Sequence, residues 1–170
     1  QLALTLTFGG HSAEGVSEAR RAIAMDPNSF FGYWVLIHAL LVHGEHDAMI
    51  ANGVAVMRRF GRNTWVLMGM ADAFKAMGRA EEANAIYDEL VARSRTEYVQ
   101  PTVLALTAMS VGRRDEAVSW LARAAANRDV FLIPMLLQSP MTAATALRRE
   151  PEHAEIVRQL CWDTPLDITT

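Results

Sequence analysis

The apolar positions of this chain fall at helical spacing along most of its length. Leu67, Met70, Ala71 and Phe74 sit at i, i+3, i+4 and i+7, and Ala83, Tyr87 and Leu90 continue at i, i+4 and i+7 beyond Gly78. That is the stripe a helix of 3.6 residues per turn buries. The same reading predicts helices over 30–43, 46–59, 63–76, 79–92, 97–110 and 113–126, preceded by a partial helix at 1–9 and a full one at 12–24. Asp26-Pro27-Asn28 closes the first pair, since a proline cannot continue a helix without losing a hydrogen bond.

Glycines punctuate the pattern at one interval. Gly10, Gly44, Gly78 and Gly112 stand 34 residues apart, and the segments after them align: Arg79-Ala80-Glu81-Glu82-Ala83 and Arg113-Arg114-Asp115-Glu116-Ala117 are nearly one segment written twice. A glycine there ends a helix, because the left-handed conformation costs it no Cβ clash. The acidic residues after it suit the positive N-terminus of the next helix. A two-helix unit of 34 residues has the period of the tetratricopeptide repeat (TPR). The third copy supplies Leu67, Met70, Ala71, Phe74, Gly78, Ala83, Tyr87 and Leu90, and the fourth Pro101, Leu104, Ala105, Ala108, Gly112, Ala117, Leu121 and Ala124. The second departs, with Ile37 at the small position and Gly53 at the aromatic one, so Ile37 is expected to fill part of the volume Gly53 leaves. Over 1–129 the chain resembles the TPR family. That resemblance implies an all-α fold, a TPR-type right-handed α-solenoid of antiparallel helix pairs.

A narrower resemblance begins at residue 97. Glu97-Tyr98-Val99-Gln100-Pro101, then Gly112-Arg113-Arg114-Asp115-Glu116-Ala117 with Trp120-Leu121, Ala124 and Asn127-Arg128-Asp129, is similar to the C-terminal TPR regions of bacterial adenylate cyclases and winged-helix transcriptional regulators. Leu147-Arg148-Arg149-Glu150-Pro151 matches the end of that family's closing helix pair, whereas Ser139-Pro140-Met141 lacks the acid and the Phe that usually open it. Residues 130–170 are accordingly expected to form a short helical C-terminal cap, its helices opened by Pro140 and Pro151, where a missing N–H costs nothing. A stack of repeats needs such a cap to keep its last apolar face from water. The resemblance implies a regulatory module, part of a longer bacterial signalling or transcription-regulatory protein whose effector domain lies upstream of Gln1.

Composition narrows the function classes. The 170 residues carry a net charge of −3, and the arginines come in scattered pairs such as Arg20-Arg21, Arg58-Arg59, Arg113-Arg114 and Arg148-Arg149 near helix ends. No basic face is offered to nucleic acid. No apolar run approaches the ~18 residues of a membrane span. The single Cys161 makes no internal disulfide, which fits a cytoplasmic protein. Nor is there a phosphate-binding loop, a nucleophile elbow or a triad spacing, so neither catalysis nor a cofactor is expected. His38, His43 and His46 lie near Glu45 and Asp47, but their spacing matches no zinc motif.

In TPR stacks the first helix of each pair lines a concave surface. By phase with the glycines, the residues facing it are Phe31, Trp34, His38, Leu41, Trp65, Met68, Asp72, Lys75, Val99, Thr102, Leu106 and Met109. Lys75 is the one side chain there of the carboxylate-gripping kind. Aromatic and Met side chains suit a protein or peptide partner with apolar side chains, or an intramolecular effector segment. The alternative is self-association, a homodimer that brings upstream domains together. Trp34 and Trp65 are either groove anchors or plain core; as anchors they are expected to be reachable from the groove.

Overall fold

The computed structural model describes residues 1–162 apart from 133–134 and 136–138, and side chains as far as Ile156. Among the described residues there are ten helices and no strand. They are α1 (Leu2–Phe8), α2 (Ser12–Met25), α3 (Phe30–His43), α4 (His46–Phe60), α5 (Thr64–Ala76), α6 (Ala80–Arg93), α7 (Pro101–Ser110), α8 (Arg114–Ala126), α9 (Thr142–Leu147) and α10 (Pro151–Trp162). None is long and apolar enough to cross a membrane.

Two starts differ from the sequence expectation. The seventh helix begins at Pro101 rather than at 97, with Gln100 extended at ψ 129°. The proline ring disfavours helical geometry in the residue before it and then fits the first helical position. The ninth begins at Thr142 instead of at Pro140, after Ser139 Oγ accepts the Met141 N–H at 3.3 Å.

The glycine interval has a structural counterpart at every step. Gly10, Gly44, Gly78 and Gly112 take φ between 76° and 88°. After each, an N–H returns to the carbonyl five residues back: His11 to Leu6, Glu45 to Leu40, Arg79 to Phe74 and Arg113 to Ala108. This bond satisfies a helix-end carbonyl and aims the chain into the next antiparallel helix. Among the described residues it recurs once outside the series, from Asp129 to Ala124, where Arg128 takes a left-handed φ of 50° in place of a glycine.

From α1 to α8 consecutive helices pack on one another, α10 packs on α8, and the odd-numbered helices also touch in turn: α1 with α3, α3 with α5, α5 with α7, α7 with α9. The odd helices therefore make an inner row and the even ones flank it. Burial follows this division. The outer α6 buries the stripe Ala83, Ile86, Tyr87, Leu90, and α8 buries Ala117, Leu121, Ala124. Inner α5 is buried without a break from Trp65 to Phe74, and α7 everywhere but Met109. A helix apolar around its whole circumference needs cover on both sides.

The irregular second unit packs by exchanging large for small. Met49 occupies the site of Ala83 and Ala117 and is fully buried. It fits because α5 carries Gly69 opposite, where an added Cβ would lie 2.7 Å from Met49 Cε. The volume beside Gly53 is taken by Met70 and Val66, whose atoms stand 3.1 and 3.3 Å from a would-be Cβ. Ile37 instead leans toward Gly69, its Cγ2 at 3.7 Å, which corrects the expectation that it compensates Gly53. In the outer layer, the Tyr87 hydroxyl donates to Glu116 Oε2 at 2.8 Å and accepts from Trp120 Nε1 at 3.1 Å, tying α6 to α8.

Ala83 and Ala117 have no exposed surface. Replacing either by Leu is expected to destabilise the chain by roughly 1–3 kcal/mol through overpacking, read as a lower midpoint in urea. An unchanged midpoint would place that position outside the helix–helix contact.

Candidate functional site

Of the residues singled out from the sequence, the inner helices bring Phe31, Trp34, His38 and Trp65 into ring contact and Leu41, Asp72, Lys75 and Met109 to one cavity, and most of them are buried. Trp34 and Trp65 are each 7% exposed, and His38, Met68, Asp72, Thr102, Leu41, Val99 and Leu106 are buried with them. Phe31 remains half exposed, Met109 is half-buried and Lys75 reaches solvent. This corrects the expectation that Trp34 and Trp65 are reachable from the groove. The cover comes from the chain itself. After α8 it turns at Arg128, Phe131 packs on Trp65, residues 140–146 border the ends of α3, α5 and α7, and Leu132, Met135, Ser139, Met141, Ala143, Ala144 and Leu147 are buried.

An aromatic row marks one end of the filled groove. Phe31 stacks on Trp34 at 5.5 Å between ring centroids, Trp34 meets Trp65 edge-on at 6.2 Å, and Trp65 meets Phe131 at 4.8 Å. Such offset and edge-on pairs are the favourable arrangements of ring quadrupoles. The inner rings are dry while the outer two are open: Phe31 is 50% and Phe131 37% exposed, beside an exposed Val130. Asp129 fixes this corner, its carboxylate accepting the Thr102 N–H at 3.2 Å and the Phe131 N–H at 3.1 Å.

The other end is polar. Between the C-terminal halves of α3, α5 and α7 and the returning stretch at 140–146 lies a cavity of about 260 Å³, lined by Leu41, His46, Asp72, Lys75, Met109 and Met141 among others. Ser110 Oγ lies 3.0 Å from both Asp72 Oδ1 and the Leu106 carbonyl. One hydroxyl proton cannot serve two acceptors fully. Both contacts become good hydrogen bonds when Asp72 is protonated and donates to Ser110, while Ser110 donates to Leu106. Burial favours that state, raising the Asp72 pKa above the ordinary carboxylate value against the opposing pull of Ser110 and His46.

Among the described residues, three side chains near the groove hold polar atoms without partners. Both ring nitrogens of His38, the Thr102 hydroxyl and His46 Nδ1 are buried without a hydrogen bond. Trp34 packs against the His38 ring at 4.4 Å. Burial lowers the His38 pKa to about 4, opposed by the Trp34 carbonyl, which approaches without completing a hydrogen bond. The histidines weighed together from the sequence part company: His38 is in the interior, His43 shares a 3.1 Å hydrogen bond with Ser12 Oγ, and His46 borders the cavity.

Sequence reasoning missed Phe131, Val130, Ser110 and Met141. A signal for the first two was present: Val130-Phe131-Leu132-Ile133-Pro134-Met135-Leu136-Leu137 is too apolar for a solvated connection. Nothing in the spacing paired Ser110 with Asp72, because that contact crosses between neighbouring units.

The two buried titratable groups make opposite pH predictions. The folded pKa of His38 lies below its unfolded value of 6.5. Its contribution is full above that value and is lost as pH falls toward about 4, roughly 3 kcal/mol in all. Asp72 has a raised folded pKa, so its contribution is full below the unfolded carboxylate value and is lost as pH rises through the folded one. His38→Leu should therefore flatten the acid limb of a stability–pH curve, and Asp72→Asn should raise stability on the neutral limb. Urea midpoints from pH 4 to 8 measure both; an Asp72→Asn variant less stable at pH 8 than at pH 5 would show that an ionised Asp72 is not the cause of that limb.

Compared with protein-family models, curated proteins and solved structures, the chain matches none.

Proposed function

We propose that this chain is a TPR-type α-solenoid that binds a protein or peptide with apolar side chains, serving as the regulatory part of a cytoplasmic bacterial signalling or transcription-regulatory protein. The observation that carries this reading is the aromatic row. Phe31 and Phe131 expose apolar surface at the two ends of a pair of buried tryptophans, with exposed Val130 next to Phe131 in the chain. A contiguous apolar patch with polar surroundings is the usual mark of an interaction site. Rigid rings resting on a dry base are also how binding hot spots are built, because little side-chain entropy remains to be lost. The 34-residue recurrence of the glycine turns and the inner row of odd helices support the repeat architecture.

The reading separates rim from core. Panning a displayed peptide library against the full chain should select sequences with aromatic or Leu anchors. Phe31→Ser should weaken them by about 2 kcal/mol, while shifting folding stability by no more than about 0.5 kcal/mol, as is usual for exposed positions. Trp65→Ala, by contrast, is expected to cost roughly 3–5 kcal/mol of stability. Selected peptides that bind Phe31→Ser and Val130→Ser chains as tightly as the parent would remove the aromatic row as the binding surface. A patch-dependent dimer in sedimentation, with no peptide selected, would favour self-association instead.

A further inference from the structure

One pair of opposite charges interrupts the apolar inner row. At the position of Asp72 the neighbouring units carry His38 and Leu106, and at the position of Lys75 they carry Leu41 and Met109, each 34 residues away. The repeat itself therefore calls for an uncharged side chain at both places. Taking a carboxyl out of water is costly unless a partner offsets the loss. A titratable group held in a cleft despite that cost is a candidate binding group.

Both charges border the 260 Å³ cavity between α3, α5, α7 and the stretch at 140–146. Its lining divides by depth. Leu41, Asp72, Ser110 and Met141 are buried, whereas Lys75, Pro140 and Thr142 are exposed. The carboxyl thus lies on the inner side and the lysine on the solvent side. Asp72 and Lys75 stand three residues apart on α5, neighbours on the helix surface, yet the carboxyl bonds to Ser110 at 3.0 Å rather than to the lysine. Leu41, Met109 and Met141 supply apolar wall, and His46 completes the titratable lining among the described residues.

We propose that this cavity binds a small zwitterion, an α-amino acid with an apolar side chain. The ligand's ammonium group pairs with Asp72, its carboxylate with Lys75 nearer to solvent, and its side chain lies against Leu41, Met109 and Met141. The size agrees: at about 30 Å³ per water, 260 Å³ is the volume of about nine waters, which accommodates leucine or methionine. A carboxylic acid alone would leave Asp72 without a cation. An amine alone would leave Lys75 without an anion and would lie beside a like charge. A site that bonds both ends of a ligand discriminates against one lacking either, because a polar group is then left unpaired. This cavity lies at the other end of the inner row from Phe31 and Phe131, so its occupancy is read separately from peptide binding at the aromatic row.

Isothermal titration calorimetry on the full chain at neutral pH tests this, with L-leucine and L-methionine as the probes. One-to-one binding is expected, with a Kd of about 1 mM or tighter, as a ligand of this size permits. Asp72→Asn removes the inner charge with little change of shape and should weaken binding by about tenfold or more. Lys75→Glu, at an exposed position, sets a like charge beside the ligand's carboxylate and should also weaken it about tenfold. Two half-ligands isolate the ends: 3-methylbutylamine lacks the carboxylate and 4-methylpentanoate lacks the ammonium group. Each should bind the parent chain about tenfold more weakly than leucine, or worse. If Asp72→Asn fails to fold, the half-ligands on the parent decide. No saturable heat with any common amino acid up to about 10 mM would overturn the proposal. So would equal affinity of leucine for the parent and for either folded variant, or a half-ligand that binds as tightly as leucine.

Discussion

Everything else in this molecule depends on a row of inner helices that are apolar on both faces. An amphipathic helix needs one neighbour layer; α3, α5 and α7 need two. The even helices provide the first, each burying a stripe against the row. Without a second layer, Trp34, Trp65, Met68 and Leu106 would face water at a cost of about 1.5–3 kcal/mol per side chain. Part of that second layer comes from the chain beyond α8, where Phe131 packs on Trp65 and residues 140–146 border the C-terminal ends of α3, α5 and α7. Trp34 and Trp65 are accordingly buried within the chain's own packing.

Much of the frame was legible because it depends on local chemistry. Helix limits from 2 to 93 follow from periodicity, and the four turns from a residue that tolerates positive φ, so both are written into short stretches of sequence. The start of α7 was misplaced because helical spacing outweighed the local veto of Pro101 on its predecessors. The second unit was misread for a different reason. Gly53 and Ile37 sit in the same unit and invite pairing, but the actual complements are Met70 with Gly53 and Met49 with Gly69, contacts between α4 and α5 across the unit boundary. Repeat phase locates a position on its helix; it does not name the side chain that arrives from the next one.

The candidate site was legible in half. Phase placed Phe31, Trp34, His38, Trp65, Asp72 and Thr102 on one face, and the structure brings Phe31, Trp34, His38 and Trp65 into contact while burying all but Phe31. Phase could not show that the face is covered, since the covering residues lie 30–110 positions away and follow no repeat. One clue was thermodynamic. Phe-Phe-Gly-Tyr-Trp-Val-Leu-Ile in α3 leaves no polar face for water, which in a repeat array calls for a ligand or a cover. The run from Val130 to Leu137 is the matching half of that clue.

The polar residues of the groove work against its burial. A face meant only to be covered by its own chain would be most stable if wholly apolar, because a buried, unpaired imidazole lowers the stability of the closed state and helps no contact within it. His38 and Thr102 raise the closed state's free energy, while Phe131, Met141 and Leu147 lower it. The buried face is thus a balance between polar groups that oppose its burial and apolar ones that drive it. Asp72 works the same balance at the other end. Burial pushes its carboxyl toward the neutral form, in which it can donate to Ser110 Oγ. Burial thus acts in opposite directions at the two ends of the groove, lowering the His38 pKa and raising that of Asp72.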